Sequence, residues 1–381
     1  VTFSTLALVL VLGSAGPLLA WRANWHVPIV IGELFAGIIF GASGFRVLHP
    51  DEPTFAFLAD MGFALVMFVA GTHVPVRSAE VRSALGTGLL RAALVGLCAA
   101  GAGYGIASWF DLPHGAIYAV LMASSSAAVV LPIIDSQQLT GPAVLQMTAQ
   151  VAVADTVGVV ALPLVIDPAH AGRAALGALA VAAAAGVMLG ALRYLDRIGL
   201  RRRAEQISEQ RKFALELRIG LVLLFALAAV ATRAGVSIML AGFAAGLAVS
   251  ATGEPRRVAE QLFAITEGFL GPLFFVWLGA RLNLREFSEQ PHLIVLGLAL
   301  GAGAVAVHIA MRAVGQPIPL GMLAAAQIGL PVAAVTVGGQ LHVLRPGEGA
   351  AIMLGALVTV AAAGIGGALA ARKTAQAPTA H

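Results

Sequence analysis

GPAVLQMTAQVAVADTVGVVALPLVI, residues 141–166, carries a single charged side chain, Asp155, near its middle. A helix needs about 20 predominantly apolar residues to cross the hydrocarbon of a bilayer, and this stretch is long enough. No lysine or arginine lies within a helical turn of the acid. The run predicts a membrane span with a carboxyl group buried halfway through it.

The rest of the chain has the same character. Of 381 residues 59% are hydrophobic and only 11% charged, with a mean hydropathy of +0.91, well outside the composition of soluble domains. The 44 glycines suit helices whose backbones approach closely through small side chains. The expected surroundings of such a chain are the lipid bilayer and not water, and nucleic acid is not an expected partner. The one cysteine, Cys98, forms no internal disulfide and no multi-cysteine metal site, and is expected to be a packing residue. Residues 1–21 lack a charged leader and a cleavage site, so they are expected to be a span and not a signal peptide.

Apolar windows between polar breaks predict an all-α membrane protein of about 13 transmembrane helices, near 3–21, 27–44, 55–74, 89–109, 115–134, 142–166, 174–192, 213–232, 236–251, 258–279, 292–312, 319–342 and 350–370. Basic residues test the count, because cytoplasmic loops are enriched in them. After odd-numbered spans stand Arg22, Arg77, Arg82, Arg91, Arg193, Arg197, Arg201, Arg202, Arg203, Arg211, Lys212, Arg256, Arg257, Arg312, Arg372 and Lys373. After even-numbered spans stand only Arg46, Arg173, Arg233, Arg281, Arg285 and Arg345. The asymmetry puts the N-terminus outside and the C-terminus in the cytoplasm. Spans 4–6 and 11–13 are seven crossings apart and run oppositely, which permits an inverted repeat with a binding site where broken helices meet.

Ionisable groups deep in a span are costly and mark function or a structural pairing. Asp155 is the first candidate: a carboxyl shut away from water can hold a proton, or release it when a cation arrives, the minimum chemistry for exchanging one for the other. In the preceding span Ser124, Ser125 and Ser126 stand before Pro132, which removes a helix hydrogen bond, so this span is expected to break, with the serines and Thr156 near the ion. Gln327, Gly329 and Pro331 predict a second break in span twelve. His308, on an apolar helix, is read as a proton or pairing site or as a hydrogen-bonded structural residue. Glu33, Asp60, Glu267 and the Glu216 and Arg218 pair are expected to be structural.

Taken in order, Gly32-Glu33-Leu-Phe-Ala-Gly37, Leu58-Ala-Asp60-Met-Gly62, Ser124 to Pro132, Ala154-Asp155, Ala241 to Gly246, Pro272-Leu-Phe-Phe275 and Ala326-Gln327 resemble the sodium/proton exchanger superfamily. The likeness is to its second cation:proton antiporter family, which includes potassium-efflux-type and NapA-type transporters. It implies a single membrane transport domain over 1–381. In it, scaffold spans fall at about 1–74 and 213–279 and core ion-transport spans at about 89–166 and 292–370. A linker helix at about 174–192 precedes a basic cytoplasmic loop at 193–212. It further implies a homodimer in a bacterial inner membrane, without a cofactor and without enzymatic activity, exchanging Na+ or K+ for H+ by elevator-type movement in the service of pH homeostasis.

Asp155 matches the ion-binding aspartate of that family. The position before it, acidic in electrogenic members, is Ala154; His308 stands where a lysine or arginine is found; and Leu330 replaces a glutamate. One carboxylate holds one charge at a time, so electroneutral exchange is expected. Two other readings remain open from sequence: a carrier of another solute or a proton sensor on the same scaffold, and an intramembrane serine protease using Ser43 of Gly41-Ala-Ser43-Gly44 with His308 as base.

Overall fold

The computed structural model describes residues 2–20, 29–72, 83–200, 215–234, 236–252 and 256–376. Arg22, Arg77, Arg82, Arg201, Arg202, Arg203, Arg211 and Lys212, and with them most of the basic loop, lie outside the described residues, as does the side chain of Glu216. Among the described residues all regular structure is helical.

In chain order the helices are α1 (Phe3–Gly13), α2 (Ala15–Ala20), α3 (Ile29–Phe40), α4 (Pro53–Thr72), α5 (Leu85–Trp109), α6 (Gly115–Ala123), α7 (Ala127–Ser136), α8 (Pro142–Ile166) and α9 (Ala171–Arg197). There follow α10 (Leu215–Arg233), α11 (Ile238–Thr252), α12 (Arg256–Ile265), α13 (Gly271–Arg281), α14 (Glu286–Glu289), α15 (His292–Ile309), α16 (Ile318–Ala324), α17 (Gly329–Gln340) and α18 (Glu348–Gln376). A π-helical turn, Thr266–Leu270, joins α12 to α13, and a 3-10 turn, Ala310–Val314, closes α15. Among the described residues nine helical stretches are long and apolar enough to cross a membrane, and the helices at Phe3–Leu19, Ile29–Phe40 and Ile238–Thr252 are shorter but apolar. The chain is a multi-pass membrane protein.

Local sequence explains the ends that position the site. Gly141 takes φ 107°, a backbone open to glycine, and Pro142 then starts α8 at the position where its missing N–H costs nothing. Gly315, at φ 81°, ends the 3-10 turn after α15 in the same left-handed region.

Two sets of helices pack most extensively. α4 lies along α11, α13 along α3 and α4, and α9 and α10 along α11; separately, α5 lies along α6 and α8, and α15 and α16 along α18. Glycines make the first contact intimate: a Cβ on Gly246 would overlap the carbonyl oxygen of Phe68, and one on Gly242 that of Ala64. Phe63 and Phe274 stack at 5.0 Å, and Trp277 donates its indole N–H to Pro50 O at 2.8 Å. A second apolar cluster gathers Val130, Met147, Leu323 and Ala363 around α7, α8, α16 and α18.

Cys98 departs from expectation. Its side chain is exposed on α5, because this helix buries only the stripe Gly88, Arg91, Val95, Ala99, Gly103 and Ala107, and Cys98 lies off that stripe.

Gly246→Leu is expected to cost about 1–3 kcal/mol by overpacking, lowering the thermal unfolding midpoint in detergent. Gly186→Leu, on an α9 face with nothing within 4 Å, is expected to leave the midpoint unchanged.

Candidate functional site

The site is built where two helices break. Between α6 and α7 the chain runs extended through Ser124 and Ser126; between α16 and α17 it passes through Ala325, Ala326, Gln327 and Ile328. Backbone groups freed at such breaks need partners, because lipid supplies none. Ser126 N–H donates to Ala326 O at 2.8 Å, joining one break directly to the other. Ser125 Oγ donates to Ala324 O at 2.6 Å, and Gln327 N–H to Thr359 Oγ1 of α18 at 3.2 Å.

The break falls at the serines. Pro132 lies inside α7, so it is not itself the interruption expected of it: the loose bonds are made upstream, where three hydroxyls accompany the turn. In the second interrupted helix Gln327 is in the break, whereas Gly329 and Pro331 belong to the first turn of α17, where N–H groups lack helical partners and proline is tolerated.

Asp155 is buried in the middle of α8, and its Oδ2 accepts the N–H of Ala127, the first residue of α7, at 3.1 Å. The acid therefore sits at the positive end of a half-helix, with its remaining lone pairs directed at no other described donor. It lines a cavity of about 430 Å³ together with Ser126 from the first break, Pro132 of α7 and Gly329 of α17, Val30, Met67 and Phe243 from α3, α4 and α11, and Glu267 of the π-helical turn. The cavity thus separates the two sets of packed helices and reaches the carboxyl from between them.

The other expected site residues are placed differently. Ser124 bonds Leu121 O at 2.8 Å and lines a second, apolar cavity between α5, α6 and α8. Thr156 spends its hydroxyl on Ala152 O of its own helix at 2.8 Å, one residue and about 100° round from Asp155. Gln327 and Pro331 border a small void with Leu300 and Ile352. Of the hydroxyl residues named from sequence, only Ser126 shares the cavity of Asp155.

His308 is fully buried. Its Nδ1 faces Ala304 O at 2.8 Å and its Nε2 faces Ser125 Oγ at 3.4 Å, so a neutral ring carrying its hydrogen on Nδ1 satisfies the first contact. It touches the break and not the acid. Leu330, on α17, packs toward Gly158, one turn along α8 from the acid, where an added Cβ would approach Leu330 Cδ2 to 2.9 Å. Ser43 donates to Leu282 O and accepts Leu284 N–H at 2.7 Å. Its hydroxyl and His308 thus have separate partners, and the serine-base pair a protease needs is not assembled.

Glu267 is the residue that sequence reading set aside. It belongs to no helical break, and only the five-residue π turn that carries it, a feature often found at functional positions, distinguishes it locally. Glu33, buried on α3, lies within electrostatic reach of it.

Comparison with known proteins places this geometry. The model of the family described as "Sodium/hydrogen exchanger, transmembrane" matches residues 6–373. YjbQ of Bacillus subtilis, a candidate Na(+)/H(+) antiporter, is 24% identical over 382 residues, covering 93% of this chain and 61% of its own. The glutathione-regulated potassium-efflux system protein KefC of Salmonella typhimurium is 29% identical over 323 residues, covering 79% of this chain and 48% of its own. The chain therefore spans about half to three fifths of the length of these two relatives. Among solved structures, the sodium proton antiporter MjNhaP1 from Methanocaldococcus jannaschii superposes with a TM-score of 0.64 at 16% identity, over 98% of this chain and 97% of that one, a likeness of fold. With a family match running over nearly its whole length, the chain belongs to the transmembrane sodium/hydrogen exchanger family.

Proposed function

We propose that this protein is a secondary antiporter exchanging Na+ or K+ for H+, with Asp155 binding the two in turn. The observation that carries the reading is the position of Asp155: a buried carboxylate at the crossing of two broken helices, bonded to the Ala127 N–H and open to a cavity of about 430 Å³. An acid so placed cannot stay charged cheaply without a ligand, and a proton and a metal ion compete for the same oxygens.

The exchange is one cation per proton. Ala154 brings no second carboxylate beside Asp155, and His308 bonds to Ala304 and Ser125, so Asp155 is the charge that turns over. Alternating access follows from an elevator movement of a core, spans about 89–166 and 292–370, past a scaffold of about 1–74 and 213–279. The cavity between the two sets of packed helices supports this division. About thirteen crossings with an inverted repeat, an external N-terminus, a cytoplasmic C-terminus, a homodimeric assembly and a bacterial inner membrane complete the proposal. The names of YjbQ, KefC and MjNhaP1 support cation and proton as the substrates.

In proteoliposomes, a cation pulse is expected to collapse an imposed proton gradient with wild type, and Asp155→Asn is expected to reduce this to the level of empty liposomes. Normal exchange by the amide variant would overturn the mechanism. Response to an organic solute but to no alkali cation would assign another substrate.

Competition for one site predicts that, where the site is mostly protonated, the apparent KM for the cation rises about tenfold for each unit of acidification. An imposed membrane potential is expected to leave the initial rate unchanged, and a potential-dependent rate would exclude one-for-one exchange.

His308→Ala removes the ring facing Ala304 O and Ser125 Oγ, and is expected to cost about 1–3 kcal/mol through the unsatisfied buried groups. The unfolding midpoint measures this, and Ser43→Ala is expected to retain full transport.

A further inference from the structure

Arg91 plays no part in the site at Asp155. It lies on the inward stripe of α5 and is only 3% exposed. Its Nη2 donates to Val314 O at 3.3 Å, while Nε and Nη1 are buried without a hydrogen-bond partner. Among the described residues no acid pairs with it. A buried cation lacking a counter-charge is among the costliest arrangements a protein can hold.

Two further side chains, on or just after the elements packed against α5, share the condition. Gln150 of α8 is fully buried, and neither Oε1 nor Nε2 has a partner. Its backbone meets α5 at Gly88, where an added Cβ would lie 2.8 Å from Gln150 N. Gly88 and Arg91, three residues apart, share the buried stripe of α5, which puts Gln150 on the helix packed against that stripe. Gln316, two residues beyond Val314, is 2% exposed and likewise has both amide atoms unpartnered. Gly315 between them falls against Nη2 of Arg91, 4.0 Å from a Cβ built on it.

Three N–H of the guanidinium and two of each amide stand against two amide oxygens. The excess is in donors, and the net charge is positive. Water would satisfy some of these donors but not the charge. We infer that Arg91, Gln150 and Gln316 form a site for a small acceptor-only anion, at the junction of α5, α8 and the turn after α15. Chloride has this chemistry. The phosphate of an acidic lipid shares it and is the second source, since Leu89 and Leu90 of α5 are exposed toward lipid. Five residues of α8, about 7.5 Å of rise, separate Gln150 from Asp155, so an anion here offsets a positive charge that would otherwise oppose cation binding.

The test is thermal unfolding of the full chain in detergent, which does not depend on the transport reading. Sodium chloride is titrated against sodium gluconate at constant ionic strength, so that general screening is equal. The wild-type midpoint is expected to rise saturably with chloride, and Arg91→Met is expected to show no response and to exceed wild type in gluconate, where the charge is uncompensated. Gln316→Leu, which keeps the arginine, is expected to raise the half-saturating chloride roughly tenfold through one lost charge-assisted hydrogen bond; this variant decides the matter if Arg91→Met does not fold. Saturable stabilisation by phosphatidylglycerol over phosphatidylcholine in gluconate, lost in the same variants, assigns the anion to lipid. Wild type indifferent to both chloride and phosphatidylglycerol, or variants responding as wild type does, would overturn the site.

Discussion

The hydrogen bond from Ser126 N–H to Ala326 O, 2.8 Å long, joins two chain segments that no bilayer would tolerate separately. Helix is the economical way to cross lipid because it satisfies its own backbone, and each break exposes groups that must be met from elsewhere. Here each break is met partly by the other, as where Ser125 Oγ serves Ala324 O, and partly by flanking helices, as where Thr359 Oγ1 of α18 serves Gln327 N–H and the Asp155 carboxylate of α8 serves Ala127 N–H. The acid is thus part of the same accounting that makes the crossing possible. The proposed ligand site and a structural repair coincide in one carboxyl group.

This coincidence has a consequence for selectivity of position. α7 directs the positive end of its dipole at the carboxylate, while the cavity reaches the acid from between the two sets of helices. The neighbouring hydroxyls of Ser124, Ser125 and Thr156 are committed to carbonyl oxygens, which leaves Ser126 and the carboxylate itself as the polar lining from the core helices. Around them, apart from Glu267, the wall is largely apolar, with Val30, Met67, Phe243 and Leu330. An apolar wall strengthens the interactions made at the acid.

The glycines serve the same end on the other side of the cavity. α4 and α11, and likewise α3 and α13, approach until backbone meets backbone, and the aromatic stack of Phe63 and Phe274 with the indole bond of Trp277 fixes their registration. Such close packing makes one set of helices stiff. The exposed faces of α5 and α9, by contrast, carry Leu97, Leu176 and Val187 outward, in keeping with lipid as their solvent.

Composition and period alone determined that this chain is a bundle of membrane helices, and the isolation of Asp155 in a long apolar run marked the residue on which the site is built. Both are local facts: a bilayer imposes a length, and a charge within that length has few excuses. The breaks were legible as regions, from Ser124 to Ser126 and around Gln327, but not as residues, since Pro132 interrupts hydrogen bonding in principle and sits within an unbroken helix in fact. Only the tertiary structure decided which hydroxyls face the acid, brought Glu267 to the same cavity, turned Cys98 outward and left Arg91 without a counter-charge among the described residues. Side-chain direction depends on which face of each helix meets a neighbour. That is settled by packing between distant segments and not by any window of sequence.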